Sequence, residues 1–327
     1  MQNRISIFCF LLLFLSGIET VQSQSIETVV QAGHYAAVTS AGYSADGKFI
    51  ATGSNDKTII LWRSSDGKQI RSFRGNTSGI IHIEFNRQGT SLLSLSQDGT
   101  WMIWELATGK MLNKMKLSAD KFTCASFSPD GSLIVTGSRK SGITVWNSLT
   151  GGQTLQLKAV QADLYAWGKY DYSEAASVVF SSDGQFILAG AGDYTAILFD
   201  AETGKEIRKF KKINSSCTSC IIEAAITPDN KKIIIAQSDT IKMFDLSTGK
   251  FLRGFAGQGG DPENLTVSAD GAYISAIEYG VAEIWDINSG KLILKAGDYS
   301  KEKVLAATFS NDSKKLITGN ENRITDI

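Results

Sequence analysis

The stretch Ser44-Ala45-Asp46-Gly47-Lys48, followed by Thr52-Gly53-Ser54-Asn55-Asp56-Lys57-Thr58 and ending at Trp62, decides how this 327-residue chain is read. An Asp-Gly turn and a second turn around Asn55 and Asp56 bracket Phe49 to Ser54, a short run rich in β-forming residues. Working outward, Val38 to Tyr43, Thr58 to Trp62 and Gln69 to Phe73 have the same character, so four short antiparallel strands are predicted in one unit.

The unit repeats. The turn recurs as Asn86-Arg87-Gln88-Gly89, Ser128-Pro129-Asp130-Gly131, Ser181-Ser182-Asp183-Gly184, Thr227-Pro228-Asp229-Asn230, Ser268-Ala269-Asp270-Gly271 and Asn311-Asp312-Ser313, at a period of about 42 residues. A second marker, a glycine usually followed by lysine, occurs at Gly67, Gly109, Gly151, Gly204, Gly249 and Gly290. An aromatic position closes the third strand at Trp62, Trp104, Trp146, Phe199, Phe244 and Trp285. Four strands with apolar residues on both faces cannot bury themselves, so each unit must stack on its neighbours.

These residues carry a resemblance. Gly33-His34, the Asp46-Gly47 turn, the Asp56 turn and the closing Trp62 resemble a WD40 repeat, and the similarity extends over residues 26 to 327. It implies an all-β, seven-bladed β-propeller of four-stranded antiparallel blades. The blades are expected near 33–73, 74–115, 116–157, 158–210, 211–255, 256–296 and 297–327. The N-terminal segment 26–32 is expected to supply the last strand of the seventh blade and close the ring. The aromatic residue of that blade would fall just past Ile327, so a fragment of a longer polypeptide stays open as a reading. The resemblance also implies that His34, Asp56, Trp62 and a hydroxyl from Thr52 or Ser54 form a structural hydrogen-bond network rather than a catalytic triad. The His position falls on Asn76, Ser118, Cys217 and Gln258 in other units, while Asp98 and Asp193 keep the carboxylate.

Composition narrows the function classes. Hydrophobic residues are 43% and charged residues 20%, enough to build a core. Lys+Arg and Asp+Glu balance at 33 each, which argues against a polyanion-binding protein. The two histidines, His34 and His82, leave little for a metal centre. His82 lies in the β-prone run Ile80 to Ile83 and reads as a packing residue. Gly190-Ala191-Gly192 follows a strand but opens no helix, so a dinucleotide site fails on context. No cofactor, metal or catalytic residue is expected.

Residues 1–23 read as a secretory signal, with Arg4 before an apolar run from Ile5 to Leu15 and a small-residue pattern at Val21-Gln22-Ser23. The run, about 11 residues, is short of the about 20 needed to cross a bilayer. A mature propeller of residues 24–327 in a secreted, periplasmic or cell-envelope location is therefore expected. In such a compartment Cys217 and Cys220 are candidates for a local disulfide, with a redox-sensitive pair or a metal site as alternatives. Four Asn-x-Ser/Thr triplets begin at Asn76, Asn214, Asn264 and Asn311.

The insertion that lengthens the fourth unit places Tyr165, Trp167, Tyr170 and Tyr172 in a loop between blades, and Lys211 to Cys220 falls on the same rim. Aromatic side chains on a surface loop concentrate binding energy at interfaces, although such a loop can also fold back on its own propeller. The expected role is a non-enzymatic scaffold for a protein or peptide ligand, with no nucleic acid partner. Two alternatives remain at this point: the sensing half of a longer protein with an effector domain, caspase-like for example, beyond residue 327, and a propeller hydrolase or quinone enzyme with its site in the central funnel.

Overall fold

In the computed structural model, the described residues are 13–14, 33–117, 120–138, 141–157, 175–191, 195–210, 222–237, 240–257, 259–260, 262–298, 300 and 303–321. Six four-stranded antiparallel sheets, each in simple sequence order, follow one another along the chain. Their first strands, Val38–Tyr43, Ile80–Phe85, Phe122–Phe127, Ala175–Phe180, Ile222–Ile226 and Glu263–Val267, meet one another side by side and therefore line the centre. Their last strands, Gln69–Phe73, Met111–Lys116, Gln153–Leu157, Glu206–Phe210, Phe251–Phe255 and Leu292–Ala296, form the periphery.

Burial follows this order. The second and third strands of the first blade, Phe49–Ser54 and Ile59–Arg63, are covered on both faces, whereas the outer strand Gln69–Phe73 is exposed at its start and buried only at its end. Blade seams form the core: Ala51, Ile59, Leu61 and Phe73 of the first blade pack against Leu92, Met102 and Trp104 of the second. Each such fully covered side chain contributes about 2 kcal/mol, which no blade could collect alone.

The recurrent turn has a simple cause. The Ser44 hydroxyl donates to Asp46 Oδ1 at 2.7 Å and accepts the Phe49 N–H at 2.9 Å, while the Lys48 N–H donates to Asp46 Oδ1 at 3.0 Å. The hydroxyl-to-carboxylate bond recurs at Ser128–Asp130, Ser181–Asp183, Thr227–Asp229, Ser268–Asp270 and Ser310–Asp312. The residue after the Asp takes a left-handed backbone, φ 70° at Gly47, and Asn230 and Ser313 adopt it where glycine is missing. The turns of different blades then join. Gln88 Nε2 donates to Pro129 O, Arg87 Nη1 to Ser182 O, Ser182 Oγ to Pro228 O, and Asn311 Nδ2 to Ser44 O, a belt around one end of the central channel.

The glycine of the second marker lets an outer-strand arginine reach across a seam. Arg208 Nη2 donates to Ser247 O at 3.0 Å, and a Cβ on Gly249 would sit 2.6 Å from its Cδ. Arg71 makes the same latch on Ala107 O at 2.7 Å, beside Gly109.

The expected count of seven four-stranded blades is corrected to six. The seventh unit is a hairpin, Val304–Phe309 with Lys315–Asn320, that stands between the first strand of the sixth blade and that of the first. Its third strand is only Leu13–Phe14, paired as Leu13 with Leu316 and Phe14 with Lys315, so two residues of the presumed leader lie in this sheet. The reason was present in the repeat markers. The Asn311-Asp312-Ser313 turn specifies only the first two strands of a unit, whereas the aromatic position and the glycine marker, which specify the third and fourth, occur six times. The Leu13–Phe14 pairing takes the third-strand place of this sheet; residues 26–32, expected to supply its last strand, and 322–327 lie outside the described residues.

Candidate functional site

His34 has no exposed surface and sits at the mouth of the first blade. Its Nδ1 donates to Asp56 Oδ2 at 3.0 Å, and its Nε2 meets the Thr52 hydroxyl at 2.9 Å and the Thr52 carbonyl at 3.1 Å. The same Thr52 oxygen accepts Trp62 Nε1–H at 2.8 Å. Asp56 also accepts the Thr58 hydroxyl at 2.6 Å and the Tyr35 N–H at 2.8 Å. Ser54 stands beside this chain rather than in it, donating to Ala36 O and accepting the Asp56 N–H.

Electrostatics bind the network tightly. Burial opposes ionisation of Asp56, but the bonds from His34, Thr58 and the Tyr35 N–H outweigh it and hold the carboxyl well below the usual carboxylate range. The imidazole and the carboxylate are both engaged by neighbours within the protein. The arrangement ties the segment before the inner strand to the turn between the second and third strands.

The other aromatic positions divide by chemistry. Trp104 Nε1 donates to Ser94 Oγ at 2.9 Å and Trp146 Nε1 to Thr136 Oγ1 at 2.7 Å, each hydroxyl lying ten residues upstream as Thr52 does from Trp62. Phe199 and Phe244 have no donor, and the residues in the matching register are Ala189 and Ile235. In the sixth blade the register position is Ala276, and Trp285 donates instead to Ala256 O at 2.8 Å. Where the hydroxyl is lost, the donor is lost with it in the fourth and fifth blades and is redirected to a backbone carbonyl in the sixth. This pairing was not anticipated from sequence, although a hydroxyl ten residues before a tryptophan was visible.

In the second blade Asn76 replaces the histidine. Ser96 Oγ donates to its Oδ1 at 3.0 Å, and Asp98 takes Thr77 Oγ1 at 2.7 Å and Lys116 Nζ at 3.1 Å. Burial raises the cost of charging Asp98, yet these bonds bring it down to about 2. Asn76 is buried, Asn264 lies in an inner strand, and Asn311 is bonded to Ser44 O, so these three triplets are absorbed by the fold. Cys124 lies on an inner strand, where its Sγ accepts from Thr123 Oγ1.

Several expected positions lie outside the described residues: Tyr165, Trp167, Tyr170 and Tyr172, the segment from Lys211 through Cys217 and Cys220, and Ser118, Asp193, Asn214 and Gln258. On the rim that carries His34 and the Asp56 turn, two aromatics are strongly exposed, Tyr35 at 68% and Tyr279 at 55%.

Comparison with known proteins adds the family. Residues 79–279, more than half of the chain, match the model described as nucleolar protein 10-like, N-terminal domain. The chain belongs to this family of β-propellers. A WD domain, G-beta repeat, matches residues 25–63, which contain the His34 network, and supports the WD40 resemblance. A U3 small nucleolar RNA-associated protein 15 homolog from Xenopus laevis is 27% identical over 158 residues, 46% of this chain. The match spans 29% of that relative's length. Both names are nucleolar, and they overturn the expectation of a secreted or envelope protein, which rested on the leader-like pattern of residues 1–23. Such a run is a short-range compositional signal, and Leu13 and Phe14 within it pair with the last hairpin. The chain is a β-propeller that carries a WD40-type repeat at residues 25–63.

Proposed function

We propose that the chain is a non-enzymatic platform that docks a protein or peptide ligand on the rim bearing Tyr35 and Tyr279. The observation that carries this reading is the pair of exposed tyrosines on one rim, set against a His34–Asp56 constellation whose hydrogen-bonding capacity is spent internally. Tyrosine offers a large rigid contact with a polar tip at low entropic cost, which suits a docking surface. Trp167 and Tyr170, which lie outside the described residues, are the second candidate contact in this proposal.

The test is capture of partners from lysate of the source cells by the immobilised full chain. Tyr35→Ala/Tyr279→Ala and Trp167→Ala/Tyr170→Ala variants are expected to lose captured protein while keeping the wild-type melting temperature. Undiminished capture by both variants would move the docking surface elsewhere. The Xenopus relative is named for its association with a small nucleolar RNA, so the capture is repeated after RNase. Protein retained after RNase supports direct docking; loss of all capture would make RNA the ligand.

A further inference from the structure

Every outer strand starts with a register shift. The residue after the one opposite the closing aromatic has no cross-strand partner, and it is Ile70, Leu112, Thr154, Ile207, Leu252 or Ile293 in the six blades. Such a bulge turns its side chain off the ladder and toward water. The residue just before it is polar in the first, third and fourth blades, as Gln69, Gln153 and Glu206, but is Met111, Phe251 and Leu292 in the others. Apolar doublets therefore stand on the second blade alone and on the neighbouring fifth and sixth together. Phe251, Leu252, Leu292 and Ile293 are each between 38% and 50% exposed.

The fifth and sixth doublets share one edge. Arg253 lies across the seam against Gly290, where a Cβ would fall 2.8 Å from its Cδ, so the turn leading into Leu292 rests on the strand that carries Phe251. Phe251 is held in place by Phe244, ring centroids 5.8 Å apart and planes at 73°. This edge is at the opposite end of the blade from Tyr279, because the Tyr279 turn joins the second strand to the third and the Gly290 turn joins the third to the fourth.

The charge there has one sign. Within 246–255 and 287–296 the exposed charged residues are Lys250, Lys291 and Lys295. The acids of the leading turns are half-buried and engaged: Asp245 accepts the Thr248 hydroxyl at 2.6 Å and Asp286 the Ser289 N–H at 2.6 Å. Glu283, 2.7 Å from Lys295 Nζ, has no exposed surface. The fourth blade differs, with Glu202 and Glu206 exposed beside Lys205 and Lys209.

We propose that the outer edge of the fifth and sixth blades is a second docking surface, and that its occupant is an acidic peptide segment bearing paired apolar residues. Four half-exposed apolar side chains on one edge gain from being covered, and the lysines around them select the sign of what covers them. Lysine beside a strand edge also keeps further copies of the same edge away, which favours an acidic partner over self-association.

The test titrates the full chain into a fluorescein-labelled synthetic peptide of Glu-Glu-Leu-Leu repeats, with a Lys-Lys-Leu-Leu peptide in parallel, and reads fluorescence anisotropy. The acidic peptide is expected to bind about tenfold more tightly than the basic one. Lys250→Glu/Lys291→Glu is expected to reverse that preference. Leu252→Ser/Ile293→Ser is expected to abolish binding at an unchanged melting temperature, and Met111→Ser/Leu112→Ser, on the isolated second-blade doublet, to retain it. Equal affinity for the two peptides, a preference unmoved by charge reversal, or binding lost in the Met111/Leu112 variant and kept in the Leu252/Ile293 variant overturns the proposal. Polyuridylate binding more tightly than the acidic peptide would make the edge a nucleic-acid surface and overturn it equally.

Discussion

The first blade and the fourth solve one packing problem in opposite ways. In the first, Trp62, Thr52, His34 and Asp56 form an unbroken line of hydrogen bonds from the blade seam to the rim. In the fourth, Phe199 faces Ala189 in the same register, and both are fully buried with no polar atom to satisfy. The contrast teaches that the closing aromatic is required for its volume, whereas its N–H is optional provided the acceptor leaves with it. A buried indole without an acceptor would cost more than the network gains.

The largest way to break the contrast is to give the first blade half of the fourth blade's solution. Thr52→Val keeps the shape but removes the hydroxyl to which Trp62 Nε1–H donates and which meets His34 Nε2. A loss of about 2 to 4 kcal/mol is expected in urea unfolding. Adding Trp62→Phe to Thr52→Val removes one of the two stranded groups, so the double variant should cost less than the sum of the singles by about 1 kcal/mol. Strict additivity would show that the two residues do not act as donor and acceptor.

Acid sharpens the comparison at a smaller scale. Asp56 is held below its ordinary value near 3.8 by the His34, Thr58 and Tyr35 bonds that oppose its burial. A depressed carboxyl contributes stability that is present above its unfolded value and is lost as pH falls, so the first blade should weaken below about pH 4. Asp56→Asn is expected to cost about 2 kcal/mol at pH 7 and to flatten the acid limb of the melting-temperature profile. Asp46, pulled down to about 2 chiefly by the Ser44 hydroxyl and the Lys48 N–H, sits in an exposed turn, and Asp46→Asn should change the same limb less.

Much of this architecture is legible in the residues themselves. The Ser-x-Asp-Gly turns, the glycine before each outer strand and the aromatic that ends each third strand are local signals, and local hydrogen bonds and positive φ angles account for them. The number of blades is harder to read because different markers report different strands. Counting turns gives seven units, while counting aromatics gives six, and the six are the complete blades. Location was misread because an apolar run of leader-like length is a weak local signal, whereas the relatives speak through most of the chain.

The smallest effect comes from completing a network rather than breaking one. The second blade retains Ser94 bonded to Trp104, and Asp98 bonded to Thr77, but Asn76 is engaged with Ser96 instead and its Nδ2 is buried without a hydrogen-bond partner. Asn76→His places an imidazole where His34 stands in the first blade, able to donate to Asp98 and accept from Ser94. The substitution satisfies a stranded donor and links two halves already present, so a gain of about 0.5 to 1 kcal/mol is expected. It should appear as a higher urea midpoint with an unchanged m-value. The counterweight is Ser96, which loses its acceptor. A net loss of stability in Asn76→His would mean that the Ser96 bond outweighs the completed line, and that the second blade, like the fourth, has settled on a different solution rather than an unfinished copy of the first.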